Sequence, residues 1–159
     1  MTQDSGFSGG NQAQIIQVLV GAWLKEDQWE VVNFPFPQTQ WALLATDTAG
    51  RTVVVAQPED VNEFLLIQGD AVLNESTRER ARQISDAELD VILWELRREL
   101  IQTDLEFRIA GEPLALIQMS QRIFFDHRNE LSKDVFFQRV SKVRRGILLV
   151  RWLMERWIP

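Results

Sequence analysis

The sequence predicts an α+β fold in which an antiparallel sheet packs against helices. Two apolar runs at residues 41–46 and 51–56 are separated by a turn that begins at Asp47 and ends at Gly50, which is typical of a β-hairpin. A capping box at Ser85 begins a stretch with helical periodicity. A long apolar seam with the same periodicity follows near the C-terminus, so helices and hairpins alternate along the chain.

The first half of the chain predicts one helix and up to four strands. Residues 12–26 have helical periodicity and are apolar on nearly every side, which indicates a helix buried on more than one face. Residues 29–34 form a strand that the following prolines end, and the 41–56 hairpin and a short run at residues 64–67 supply further strands. The polar, arginine-rich residues 75–83 are interpreted as a connector with some helix.

The second half predicts two helices around a second hairpin. After Ser85, one side of the helix is a core stripe: Leu89, Ile92, Leu93, Leu96 and Leu100. Alternating residues 105–109 form the clearest half-buried strand, and a turn leads into residues 114–119, which residues 123–125 continue or follow. The last helix begins near Ser132, and its seam has spacings of four and three: Phe136, Val140, Val143, Ile147, Val150, Met154 and Trp157. The predicted order is α-β-β-β-(β)-α-β-β-α, with the short 64–67 run in parentheses.

Length and composition predict one domain, and the cysteine content fits a reducing compartment. We assign residues 1–10 to a disordered N-terminal tail and residues 11–159 to a single α+β domain. The chain has no cysteine, which excludes a disulfide framework and thiolate metal sites. Its longest apolar stretches are shorter than the roughly 20 residues of a membrane span, so we expect a cytoplasmic protein.

The charge is divided unevenly along the chain. The net charge is −6, but residues 122–159 carry nine basic and four acidic residues, which leaves that segment at +5 and residues 1–121 at −11. Two basic groups stand out: Arg78, Arg80 and Arg82 in the connector, and Arg139, Lys142, Arg144 and Arg145 on the last helix. A nucleic-acid-binding regulator that uses these groups is one alternative function. The acidic balance of the whole domain argues against it, and favours a solvated basic helix face.

The residues that could carry catalysis are few. His127 is the one histidine of the chain, and it lies between Asp126 and Arg128 in a turn before the last helix. Loops at the ends of elements often carry function, so a small enzyme with a pocket near His127 is a second alternative. No nucleophile partner or second histidine is evident beside it. We therefore expect no catalytic residue, no cofactor and no metal.

The high content of tryptophan and phenylalanine indicates function more strongly than the few candidate catalytic residues do. The chain has six tryptophans and nine phenylalanines but no tyrosine. Several apolar residues of the two later helices lie away from the core stripes, and five form the predicted contact surface: Trp94, Ile101, Leu148, Leu149 and Trp152. One interpretation is that both helices are covered on both sides, which would make these residues core. The other is an interface, because monomers rarely expose large apolar patches and tryptophan is enriched at interface hot spots.

The order of elements resembles the type III secretion chaperone-like fold, in particular its YbjN-like branch and uncharacterised cyanobacterial proteins that share that fold. The hairpin at 41–56, the Ser85-capped helix, the 105–119 hairpin and the strand that leads into the Ser132 helix carry the resemblance, over residues 12–157. It implies a small, acidic, usually dimeric protein that binds polypeptides and catalyses nothing. The basic, tryptophan-bearing last helix departs from this pattern, which leaves the mode of dimerisation open.

These observations together predict a non-catalytic protein-interaction or chaperone-like module. We expect a homodimer that binds a polypeptide client, with no membrane span and no nucleic-acid partner. The identity of the client lies beyond the sequence.

Overall fold

The computed structural model describes residues 9–112, 114–126 and 130–158. Within these ranges it contains four helices: α1 (Gly9–Glu26), α2 (Glu75–Gln83), α3 (Asp86–Gln102) and α4 (Lys133–Trp157). It also contains six strands: β1 (Glu30–Asn33), β2 (Thr39–Thr46), β3 (Thr52–Pro58), β4 (Phe64–Val72), β5 (Glu106–Ala110) and β6 (Leu116–Phe124). The predicted α+β class is confirmed.

The six strands form one antiparallel sheet in the order β1-β2-β3-β4-β6-β5. The predicted first hairpin joins β2 to β3, where Thr46 pairs with Thr52. Its turn has the expected chemistry, because the Gly50 backbone N–H donates to the Asp47 carbonyl at 2.9 Å and Gly50 has a φ of 77°. The second hairpin joins β5 to β6, and β6 runs without a break from Leu116 to Phe124, which confirms the alternative in which the residues after position 119 continue the strand.

The boundaries differ from the sequence analysis at two helices. Helix α1 begins at Gly9, within the segment assigned to the tail; residues 1–8 lie outside the described residues. The segment interpreted as a connector is the helix α2, which Asn74 caps by accepting from the Thr77 N–H at 2.8 Å. Only Ala81 of α2 is buried, so the helix is polar on nearly every side and carries almost no apolar periodicity.

Helices α1 and α4 pack on the same face of the sheet. Leu43 of β2 lies beneath Gly21 of α1. Leu43 pairs with Val55 of β3, and Val55 pairs with Ile67 of β4, so these three residues lie on one face of the sheet. Gly69, two residues after Ile67 and therefore on the same face, lies beneath α4. Helix α4 crosses β4 and β6, and α3 packs against α4. This places the core between the sheet and the helices.

The predicted caps and seams are confirmed in α3 and α4. Ser85 and Glu88 form both hydrogen bonds of the capping box, and Ser132 caps α4. Most of the α4 seam is fully buried, with Ile147 and Trp157 half-buried. In the α3 stripe, the buried positions are Leu96 and Leu100. The helix positions therefore follow the periodicity of the sequence.

Candidate interaction surface

Helix α3 presents two large apolar side chains to solvent. Leu96 and Leu100 of this helix are fully buried, whereas Trp94 is 65% exposed and Ile101 is 69% exposed. Trp94 and Ile101 are seven residues apart, so they lie on one side of the helix, two turns apart. Helical periodicity predicted that both residues lie away from the core stripe, and in the structure both are on the exposed side of the helix.

Helix α4 presents a second exposed pair. Trp152 is 60% exposed, and Leu148, one turn earlier, is 37% exposed. Leu149 is half-buried, and its neighbour Val150 is fully buried. Of the five residues predicted to form a contact surface, four are therefore exposed and one is half-buried. Helices α3 and α4 are in contact, but Ile101 lies beside β5 and Leu148 lies beside the β2–β3 turn, so the five residues extend from one side of α4 to the other.

An apolar groove that the sequence analysis missed lies among α2, α3 and the end of α4. Its volume is about 830 Å³, and its apolar lining includes Ile84, Val91 and Trp157. Val91 lies one turn before Trp94 on α3, so the groove adjoins the exposed tryptophan. Arg80 and Glu88 add polar groups to the lining. The groove forms only because α2 packs near α3 and the end of α4. A polar helix has no apolar stripe from which this packing position could be predicted.

The basic residues do not gather on one side of α4. Lys142 pairs with Asp104 at 3.2 Å, beside β5, whereas Arg144 pairs with Asp47 at 2.8 Å, in the β2–β3 turn. Strands β5 and β2 lie on opposite sides of the central β4 and β6 that α4 crosses. On α2, Arg82 pairs with Glu75 at 3.2 Å within its own helix. The described ion pairs thus divide the two predicted basic groups among three places.

Asp47, in the β2–β3 turn, is a carboxylate whose pKa is shifted by its surroundings. Its side chain is 9% exposed, and it accepts hydrogen bonds from the backbone N–H groups of Ala49 and Arg51, both at 2.9 Å. Burial raises the pKa of Asp47, but the hydrogen bond from Arg51 and the charge of Arg144 outweigh it, and the pKa lies below its ordinary value. The Arg144 guanidinium also lies 5.3 Å from the centre of the Trp29 ring.

The predicted alternative catalytic site cannot be placed in this fold. His127 and Arg128 lie outside the described residues. Across the described ranges, no group of three histidine, cysteine, aspartate or glutamate side chains is arranged to hold a metal ion. None of the helices in the same ranges is long and apolar enough to cross a membrane.

Comparison with known proteins gives a family and a fold. The family described as an uncharacterized conserved protein (DUF2299) matches residues 16–154. An uncharacterized protein from Methanothermobacter thermautotrophicus has a similar structure, with a TM-score of 0.81 and 20% identity, over 90% of this chain and 99% of that chain. YbjN from E. coli has a TM-score of 0.46 and 14% identity, over 87% of this chain and 89% of that chain. No protein with a curated description matches this chain.

Proposed function

This chain belongs to the DUF2299 family, and we propose that it is a non-catalytic protein-interaction module with a role like that of type III secretion chaperones. In this proposal the protein is a cytoplasmic homodimer that binds a polypeptide client. The contact surface comprises Trp94, Ile101, Leu148, Leu149 and Trp152.

The observation that carries the proposal is the exposure of two tryptophans on helices whose other sides are well packed. A tryptophan in a contact buries about 150–250 Å². At about 25 cal/mol per Å² of apolar surface, covering the exposed 65% of Trp94 or 60% of Trp152 would contribute about 2–4 kcal/mol each, before the cost of association. Contributions of this size are typical of interface hot spots.

The apolar groove supports a polypeptide client. Its lining combines the apolar side chains of Ile84, Val91 and Trp157 with the polar Arg80 and Glu88. Because Val91 of the groove lies one turn from Trp94, a bound segment in the groove would be able to contact the α3 part of the surface as well. An amphipathic helix is one form of segment that docks in such grooves.

The oligomeric state of the full chain tests the dimer. We expect light scattering after gel filtration to give a dimer for the native chain, and a lower mass for Trp152→Asp at the same concentration. Val72→Asp is the matched control, because Val72 is 71% exposed and, three residues after Gly69 in β4, lies on the sheet face opposite α4. Thermal unfolding of all three proteins checks that each is folded.

Three outcomes would contradict the dimer or its surface. A native chain that remains monomeric at every concentration excludes the homodimer. Dissociation by Val72→Asp but not by Trp152→Asp would show that the interface lies on the opposite face of the sheet. Unfolding of the Trp152→Asp protein shows that Trp152 contributes to the fold; Trp94→Asp then tests the same surface.

A pull-down from native lysate tests the client. We expect the native chain to retain a stoichiometric protein that the folded Trp152→Ala variant loses, with Val72→Ala retaining it. If none of the three baits retains a protein, the client is excluded under these conditions, whatever the oligomeric state. The nucleic-acid alternative needs its two basic groups on one face, and the division of the ion pairs described above does not favour it.

A further inference from the structure

A cluster of arginines surrounds two small depressions between the β2–β3 turn and α4. The depressions share Arg51, Arg144 and Leu148. One, of about 200 Å³, also contains Arg151 and Asp70. The other, of about 230 Å³, contains Arg145. Both volumes are below the range of about 300–1,000 Å³ found for drug-sized ligands, so they suit a small group rather than an extended segment.

Two of the arginines are held in place by one carboxylate. Asp47 Oδ2 lies 3.0 Å from Arg51 Nε and 2.8 Å from Arg144 Nη2. Asp47 is itself fixed by hydrogen bonds from the turn backbone, and the Trp29 ring lies beneath the Arg144 guanidinium. The Arg144 Nε atom is buried and has no hydrogen-bond partner among the described residues. The ion pairs with Asp47 and the contact with the Trp29 ring already hold the two arginine side chains in place. They therefore reduce the conformational entropy that these side chains would lose on binding a ligand.

The other two arginines keep their hydrogen-bonding capacity. In the described part of the chain, Arg145 and Arg151 have no ion pair and no side-chain hydrogen bond. Guanidinium groups present donors in a planar fork that matches the oxygens of phosphate and carboxylate. A ligand can therefore bind these two side chains without breaking an existing ion pair or hydrogen bond.

The charge of the cluster indicates the charge of its ligand. Across the two depressions together, four guanidinium groups, from Arg51, Arg144, Arg145 and Arg151, accompany two carboxylates, Asp47 and Asp70, so the formal charge is +2. A phosphate monoester carries about −1.5 to −2 at pH 7, whereas a single carboxylate carries −1. The phosphoryl group fits the cluster better in both charge and size.

We propose that these depressions form a phosphoryl-binding site, for free phosphate or for the phosphate of a small monoester. Arg151 binds oxygens in one depression and Arg145 in the other, and Asp47 positions Arg51 and Arg144, which both depressions share. The site borders the proposed contact surface, because Leu148 of that surface lines both depressions. Its four arginines do not belong to the contact surface, so phosphate binding by the chain does not require the protein-interaction role.

Calorimetric titration of the full chain at constant ionic strength tests the site. The ligands are inorganic phosphate, glycerol 3-phosphate and malonate, and the variants are Arg151→Gln and Arg156→Gln. Arg156 is the matched control, since it is exposed on the same helix but lines neither depression. We expect at least one phosphate ligand to bind the native chain, about tenfold more weakly to Arg151→Gln, and within twofold of native to Arg156→Gln.

The two phosphate ligands distinguish the source of the group. Tighter binding of inorganic phosphate assigns the site to the free ion, and tighter binding of glycerol 3-phosphate assigns it to a monoester. The proposal is overturned if neither ligand binds, if malonate binds more tightly than both, or if the two variants lose affinity equally. Circular dichroism confirms folding, and Arg145→Gln replaces Arg151→Gln if that variant does not fold.

Discussion

Asp47 and Arg144 are 97 positions apart in the sequence, and their side chains meet at 2.8 Å between Oδ2 and Nη2. This ion pair connects the β2–β3 turn to the middle of α4. The apolar core alone would not fix the turn, because the turn lies at the edge of the core. Asp47 is largely buried and accepts two backbone hydrogen bonds, so the pair differs from the exposed ion pairs of α2. Largely buried pairs of this kind lose more when one partner is removed than exposed pairs do.

Asp47→Asn should therefore destabilise the fold. The amide can keep the hydrogen bonds from the turn but leaves Arg51 and Arg144 without their carboxylate. We expect the free energy of unfolding to fall by about 1–3 kcal/mol, which is about 2–12 °C in the melting temperature. Asp60→Asn, at an exposed turn position, is the control and should change neither quantity by more than about 0.5 kcal/mol. Equal stability of the two variants would show that the ion pair contributes nothing.

The same carboxylate should make stability depend on pH in the acid range. The pKa of Asp47 is lowered in the folded state from its ordinary value of 3.8, so its contribution is complete above about pH 5. As the pH falls through the folded pKa, the carboxylate becomes protonated in both states and the contribution disappears. Urea unfolding of native and Asp47→Asn proteins should thus give a difference at pH 7 that shrinks at pH 3. A difference that grows toward pH 3 would reverse the sign of this linkage.

Gly69→Ala should disrupt the contact between the sheet and α4. A Cβ at Gly69 would lie 2.7 Å from Val143 Cγ1 and 2.6 Å from Ile147 Cδ1, which is closer than carbon atoms approach without strain. We expect a loss of about 1–3 kcal/mol in chemical denaturation. Gly21→Ala is the opposite case, because its Cβ would meet Leu43 at an ordinary 3.8 Å in the interior of α1. That variant should gain up to about 1 kcal/mol.

Gln57→Leu should leave a buried donor without its acceptor. Gln57 is 1% exposed, and its Oε1 accepts from Trp41 Nε1 at 2.9 Å across the β2–β3 pair. We expect a cost of about 1–3 kcal/mol. The double variant Trp41→Phe with Gln57→Leu removes both polar atoms and should be more stable than the sum of the single effects predicts. Additive effects in denaturant titrations would show that the hydrogen bond does not couple the two side chains.

Local patterns predicted most of the fold. The β2–β3 turn depends on Asp47 and Gly50, and the start of α3 on Ser85 and Glu88, and each of these signals lies within four residues of sequence. The displacement of Trp94 and Trp152 from the core stripes also followed from helical periodicity, because a residue opposite a buried stripe cannot reach the same core. Their exposure did not follow, because the sequence left open whether another element covers that side of each helix. Short-range geometry is fixed by the chain itself, which is why these predictions needed no knowledge of packing.

Features that depend on distant segments could not be predicted in this way. Helix α2 has almost no apolar stripe, and its one sequence signal was the Asn74 cap three residues before Thr77. The groove beside it requires Trp157 to return to α2 and α3, and the arginine cluster requires Asp47 to meet Arg144. The sequence contains these residues but not the packing that brings them together.

The central position of β4 and β6 has a consequence for any attempt to divide the chain. Val72 at the end of β4 pairs with Leu116 at the start of β6, so the middle of the sheet joins segments separated by α2, α3 and β5. A fragment that stopped after Val72 would expose the whole unpaired edge of β4, an edge of nine residues that invites pairing with other copies. During synthesis the same edge is bare until β6 has emerged, so this interval is the one in which the nascent protein is most open to aggregation.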